Sequence, residues 1–185
     1  MTEGHVSIVL HAHLPFVRHP EHSFHLEELW FFEAMQETYL PLIEALRNLE
    51  GDGIPGRLTL SLSIPLLEMM EDALLVERFD EHLQRLTELS EAEVERTDGA
   101  ASEYAHVAGY YRDRFRAMTQ LWRGELGRDV VSEFDRLHRA GRIELITCAG
   151  THGLLPLMAT EAGRRAQVHA AVDRYEQRFG RAPRG

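Results

Sequence analysis

The chain has 185 residues and a mass of 21.2 kDa, the length of one ordinary domain, and its 44% hydrophobic and 27% charged residues are the balance of a folded globular protein. It carries 30 acidic against 20 basic residues, a formal net charge of -10, and every basic residue is arginine. Without lysine there is no Schiff-base chemistry, no phosphate-loop lysine and no carbamylated bridge between two metals, and the acidic balance argues against nucleic acid as the main partner.

The single cysteine, Cys148, excludes an internal disulfide framework and a cysteine-based zinc site, and reads as a small buried hydrophobe. No apolar run approaches the ~20 residues that span a bilayer, so no membrane partner is expected. The start Met1-Thr2-Glu3-Gly4-His5 lacks the basic and apolar stretches of a signal peptide, and a cytoplasmic location is expected. Histidine is the compositional oddity: there are 11, and six fall between His5 and His25.

In chain order, His5 to Leu10 is a β-branched run that predicts a strand leading into His11-Ala12-His13-Leu14-Pro15. Alternation places Val6, Ile8, Leu10 and Ala12 on one face, expected under helices. Ser7, Val9, His11 and His13 lie on the other, which turns polar at its carboxyl end. A helix follows from about Glu27 to Asn48, with a kink or break expected at Pro41 and a stop at Gly51-Asp52-Gly53. Arg57 to Ile64 is the cleanest strand pattern, ended by Pro65.

Residues 66–139 read as three or four helices, with breaks near Asp98-Gly99 and from Gly124 to Gly127. Their Glu and Arg residues at helix-neighbour spacing form a solvated face. The third strand spans Ile143 to Ala149 and delivers Gly150-Thr151-His152-Gly153 at its carboxyl end, and a last helix spans Glu161 to Phe179. Strands separated by helices predict an α/β fold with parallel strands and a long helical insertion between the second and third. Such sheets carry their chemistry at the carboxyl ends of the strands, where His11, His13 and His152 fall.

Three readings of those histidines stand side by side: hydrogen-bonded groups capping strand ends, contacts to sugar hydroxyls, or ligands of a mononuclear zinc. The zinc reading wants a carboxylate at a strand end, and none stands beside His152. His19, His22 and His25 surround Pro20 in a loop and read as solvent-exposed. Trp30 reads as core or as a platform for a sugar ring.

Five stretches then carry a family resemblance in order and spacing over nearly the whole chain. They are His11-Ala12-His13-Leu14-Pro15-Phe16-Val17-Arg18, Glu28-Leu29-Trp30-Phe31-Phe32-Glu33-Ala34-Met35, Glu37-Thr38-Tyr39-Leu40-Pro41-Leu42, Leu58-Thr59-Leu60-Ser61-Leu62-Ser63-Ile64-Pro65 and Ile143 through Gly153. The chain resembles the N-terminal part of glycoside hydrolase family 57, in its α-1,4-glucan branching enzyme subgroup.

The resemblance implies the N-terminal portion of an incomplete (β/α)7 TIM-like barrel, followed in that subgroup by a helical C-terminal domain. It implies a retaining double displacement on α-glucans with no metal or other cofactor. His11, His13 and His152 would line the subsite for the sugar that becomes covalently attached, and Trp30 the glucan surface.

Retaining chemistry needs two carboxyl groups about 5–5.5 Å apart. The resemblance places the nucleophile glutamate, in a Trp-Leu-Pro-Glu segment ending the fourth strand, beyond Gly185, and the acid/base aspartate further still. Glu68, Glu144 and Glu161 do not match those positions. The expectation is therefore an α-glucan-binding piece of a larger enzyme, inactive alone, with an unfinished sheet edge and with the missing C-terminal part as a partner. The alternative is a non-catalytic glucan-binding or assembly module.

Overall fold

The computed structural model describes residues 4–98 and 103–185. Three parallel strands, β1 (Val9–Ala12), β2 (Leu58–Leu62) and β3 (Ile143–Ile146), form one sheet in the order β1-β2-β3. Val9 stands against Thr59 and His11 against Ser61, while Thr59 stands against Glu144 and Ser61 against Ile146. This register sorts the side chains. Leu60, Leu62, Ile143, Leu145 and Ala12 are buried on the face that helices cover, and the opposite face carries His11, Thr59, Ser61 and Glu144.

β1 is shorter at its start than the apolar run predicts, and of Val6, Ile8, Leu10 and Ala12 only Ala12 is buried; Val6 is 92% exposed. The reason is position. β1 is an edge strand, and before Val9 its one backbone bond to the sheet is the Ile8 carbonyl accepting from Thr59 N at 2.9 Å. The edge beyond β3 is better closed than the sequence suggests. Leu145 N–H donates to His138 Nδ1 at 2.9 Å, the Leu145 carbonyl accepts from Tyr175 at 3.1 Å, and Thr147 N–H donates to the Gly185 carbonyl at 3.0 Å.

The first helical stretch is α1 (Glu28–Ala34), a π-helical turn at Met35–Tyr39, and α2 (Leu40–Gly51). Pro41 neither breaks nor ends it. The wider turn, closed by Leu40 N–H on the Met35 carbonyl, sits just before the proline and absorbs the ring and the missing N–H. Among the described residues between β2 and β3 lie four helices, α3 (Ile64–Glu71), α4 (Ala73–Thr97), α5 (Ala105–Thr119) and α6 (Val130–Arg139), with a second π-helical turn at Gln120–Glu125.

The break expected at Asp98-Gly99 follows the end of α4 at Thr97, and Gly99 lies outside the described residues. The break at Gly124 to Gly127 is the second π turn followed by Gly127 and Arg128 at φ of 56° and 67°. Ile64 belongs to α3 rather than to the strand. The last helix, α7 (Glu161–Phe179), has the bounds its pattern predicts, with the Thr160 side chain accepting from Gly163 N–H and Gly180 closing it at φ 66°. Cys148 is half-buried rather than fully buried, and burial pushes its thiol up from the ordinary value.

One buried ion pair ties the long β1–α1 loop to the helical region. Glu28 is 1% exposed and takes both 2.6 and 2.7 Å contacts from Arg78 on α4. Arg78 also donates to the carbonyls of His19 and His22, and His19 N–H donates to Glu28 at 3.0 Å. Nearby, Arg18 donates at 2.6 Å to Asp72, whose other oxygen caps α4 through Leu74 and Leu75 N–H. Removing one partner leaves a buried charge alone. Arg78→Met is therefore expected to lower unfolding free energy in urea titrations by about 3–5 kcal/mol and to open residues 19–25 to limited proteolysis.

Candidate functional site

Two segments place three imidazoles at the carboxyl end of the sheet. His11 lies on β1 itself, His13 one residue past it, and His152 in the turn that follows β3. Continuing the register past Ala12 and Leu62 brings His13 against Ser63, and His13 Nδ1 lies 2.9 Å from the Ser63 hydroxyl. His11 Nε2 lies 3.0 Å from His152 Nε2. The rings of His13 and His152 meet edge to face at 3.7 Å between centroids, and those of His11 and His152 at 4.7 Å.

The turn bearing His152 is built with some strain. His152 has φ 58°, a left-handed conformation uncommon for a residue with a Cβ, and its N–H donates to the Ala149 carbonyl at 2.7 Å. Gly150 donates to the Gln167 carbonyl on α7 at 2.9 Å, and a Cβ there would stand 3.0 Å from that same oxygen. The Gln167 side chain takes the Thr151 N–H at 2.8 Å and donates to its hydroxyl at 2.8 Å. Helix α7 thus holds the turn from behind, and the strained backbone throws the imidazole over β1.

The His11 and His13 rings favour the neutral state. Burial and then the neighbouring His152 hold the His11 imidazole below its ordinary value, and burial, His152 and His11 do the same for His13. A bond between two Nε2 atoms also requires one ring to donate and the other to keep its lone pair. Among the described residues, no three His, Cys, Asp or Glu side chains are grouped so as to hold a metal ion. What the arrangement offers is a set of hydrogen-bonding rings on an open polar face.

Trp30 sits on α1, 48% exposed, and takes no part in the ring contacts that join the trio. The loop histidines are more ordered than a solvent-exposed loop implies. His25 stacks between His19 at 3.6 Å and His22 at 5.4 Å, while His19 pairs with Glu21 and His25 with Glu27.

The carboxylates weighed from the sequence are engaged elsewhere. Glu68 pairs with Arg174, Glu161 with Arg165, and Glu144 accepts from Thr59 at 3.1 Å. Ser63, Gln167, Glu28 and Arg78 support the site without having been singled out from sequence. For Ser63 the signal was available, since alternation puts it on the face of His11 and His13.

Residues 7–185 match the profile of Glycosyl hydrolase family 57. The chain belongs to that family. It is 33% identical over 184 residues to the 1,4-alpha-glucan branching enzyme TK1436 of Thermococcus kodakarensis, an alignment covering 99% of this chain and 26% of that protein. The crystal structure of the alpha-amylase AmyC from Thermotoga maritima superposes with a TM-score of 0.92 at 37% identity, over 100% of this chain and 35% of that one. The family 57 branching enzyme of Pyrococcus horikoshii gives 0.89 at 31% identity, over 97% of this chain and 33% of that one. The chain therefore spans about a quarter of the curated relative and about a third of the solved structures it matches.

Acidification is expected to weaken the family 57 chain through these rings. Between the lowered values of His11 and His13 and about 6.5, the unfolded chain binds more protons than the folded one. Stability is thus complete above about pH 6.5 and falls as pH drops through that window. Burial lowers His82 and His138 as well, so the share of His11 and His13 is a difference. Thermal melts from about pH 5 to 8 should show a shallower acid limb in His11→Gln than in the parent.

Proposed function

We propose that this chain is the sugar-binding portion of an α-glucan-active family 57 enzyme of the branching type, its three parallel strands being the first three of a larger barrel. His11, His13 and His152 contact hydroxyls of a bound glucose unit, and Trp30 offers its exposed indole to the apolar face of another. The observation that carries this reading is the convergence of three imidazoles from two separate segments, the ends of β1 and β3, at the end of the sheet where such folds do chemistry. Neutral rings suit a neutral polyhydroxyl ligand, since they form hydrogen bonds without drawing counterions into the site.

In this reading the chain binds but does not turn over substrate. Retaining transfer needs a carboxylate pair across the scissile bond, and the ion pairs that hold Glu68 and Glu161, with the Thr59 bond to Glu144, support roles for these three away from the sugar. Titration of maltooligosaccharides into the chain, followed by calorimetry, tests the proposal. His152→Ala and His13→Ala should each weaken binding about threefold to tenfold, as loss of one hydrogen bond implies. With amylose, iodine staining and reducing ends should stay unchanged; an enzyme-dependent change in either overturns the inactive reading.

The open edge of β1 supports a partner that completes the sheet. Val6, Ile8 and Val9 are 92%, 54% and 61% exposed along it, an apolar strand edge of the kind that pairs with another strand. The partner in this reading is the remaining part of the barrel, whether in the same polypeptide or another. Val9→Lys should suppress concentration-dependent association in sedimentation velocity while leaving the thermal midpoint nearly unchanged.

A further inference from the structure

We infer that Ser63 is a positioning residue that fixes His13 as the tautomer protonated on Nε2, so that the site always meets its ligand with an N–H donor at that ring. The argument begins with a serine that does not do what its place in the chain suggests. Ser63 precedes α3 as its N-cap, a position where a serine hydroxyl ordinarily accepts from the N–H groups of the first turn, yet its side chain makes no such bond. The second residue of α3 is Pro65, which has no N–H, so a cap here would serve little.

Ser63 is 0% exposed, and its backbone groups are already used. Its N–H donates to the Ala12 carbonyl at 3.0 Å, and its carbonyl accepts from Leu67 N–H at 3.0 Å. The hydroxyl proton must therefore find an acceptor on another residue or lie buried without one. Among the described residues the hydroxyl's one hydrogen-bond partner is His13 Nδ1 at 2.9 Å. Hence the hydroxyl donates, Nδ1 accepts with its lone pair, and the proton of the neutral ring sits on Nε2.

The opposite assignment, with Nδ1–H donating to the serine oxygen, would leave a buried hydroxyl proton unpaired. The bond between His11 and His152 leaves open which of those two rings donates, but the serine leaves no such freedom to His13. A locked Nε2–H also cannot ligate a metal through that atom. The inference deepens the glucan reading, on which its ligand rests: a sugar hydroxyl would accept from His13 Nε2–H. The tautomer itself does not depend on that reading.

Long-range proton–nitrogen correlation spectra of the chain labelled with nitrogen-15, recorded near pH 7.5 where the rings are neutral, read the tautomer directly. The parent is expected to show the His13 pattern of Nε2–H with a bare Nδ1. Ser63→Ala should show both tautomers and bind maltoheptaose about threefold to tenfold more weakly, and Ser63→Thr, which keeps the hydroxyl, should restore both. An Nδ1–H pattern for His13 in the parent overturns the inference, and so does a Ser63→Ala spectrum identical to the parent's. Should Ser63→Ala fail to fold, the parent spectrum and Ser63→Thr still decide it. An Nε2–H pattern in a chain that binds no maltoheptaose upholds the lock and refutes the glucan reading; binding with an Nδ1–H pattern does the reverse.

Discussion

A slip of one residue between β1 and β2 would carry His11 to the helix-packed face and bring Leu10 and Ala12 into the polar one. The register that sets His11 against Ser61 and Ala12 against Leu62 is therefore the constraint on which the site depends. Burial enforces it from one side only. Leu60 and Leu62 are 1% and 2% exposed under the helices and anchor β2, so a slip of β1 would force His11 under the helices in place of Ala12. The cost of burying polar groups there, more than any bond made by the histidines, keeps the imidazoles on the open face.

Register alone does not bring a third ring to the pair. His152 arrives because β3 pairs with β2 in step, and because α7 grips the following turn through Gln167 while Tyr175 binds the Leu145 carbonyl. On the other flank the buried pair of Glu28 and Arg78 holds the loop that leaves His13, through the backbone of His19 and His22. Such a pair contributes little net stability against an apolar alternative, but it fixes a direction, and here it fixes the path of the loop between β1 and α1. The trio is thus supported from both sides, with Glu28 on one flank and Tyr175 on the other as the buried anchors.

Much of this was legible in the sequence, for physical reasons. The period-two pattern of β2 and the capped pattern of α7 survive because both elements pack on neighbours that enforce them, and α7 keeps its predicted bounds. β1 departs because an edge strand has no second neighbour to bury its apolar residues, so composition promises more burial than topology delivers. The π-helical turn before Pro41 is invisible to periodicity, since it is a local accommodation of one missing N–H. The histidine trio could be named from strand-end positions, whereas Gln167 and Arg78 could not. Each is a polar residue on a helix with nothing in its local pattern to mark it, and only the tertiary path brings it to the turn or the loop.

Local rules are broken three times within a few ångströms of one another. His152 occupies a left-handed backbone, a strain of order 1–3 kcal/mol for a residue other than glycine. Ser63 stands at an N-cap without capping, forgoing a bond typically worth about 1 kcal/mol, though Pro65 reduces what is lost. Two imidazole nitrogens face each other at 3.0 Å, which obliges one ring to donate and the other to keep a lone pair on Nε2. Elsewhere helices are capped at Asp72, Asp129 and Thr160 and arginines pair with carboxylates, although Arg128 also holds a left-handed backbone at φ 67° and two helices carry π turns. What distinguishes these three is that they share contacts, since Ser63 bonds His13, His13 packs on His152 and His152 faces His11, so the local costs fall on the same side chains that form the candidate site.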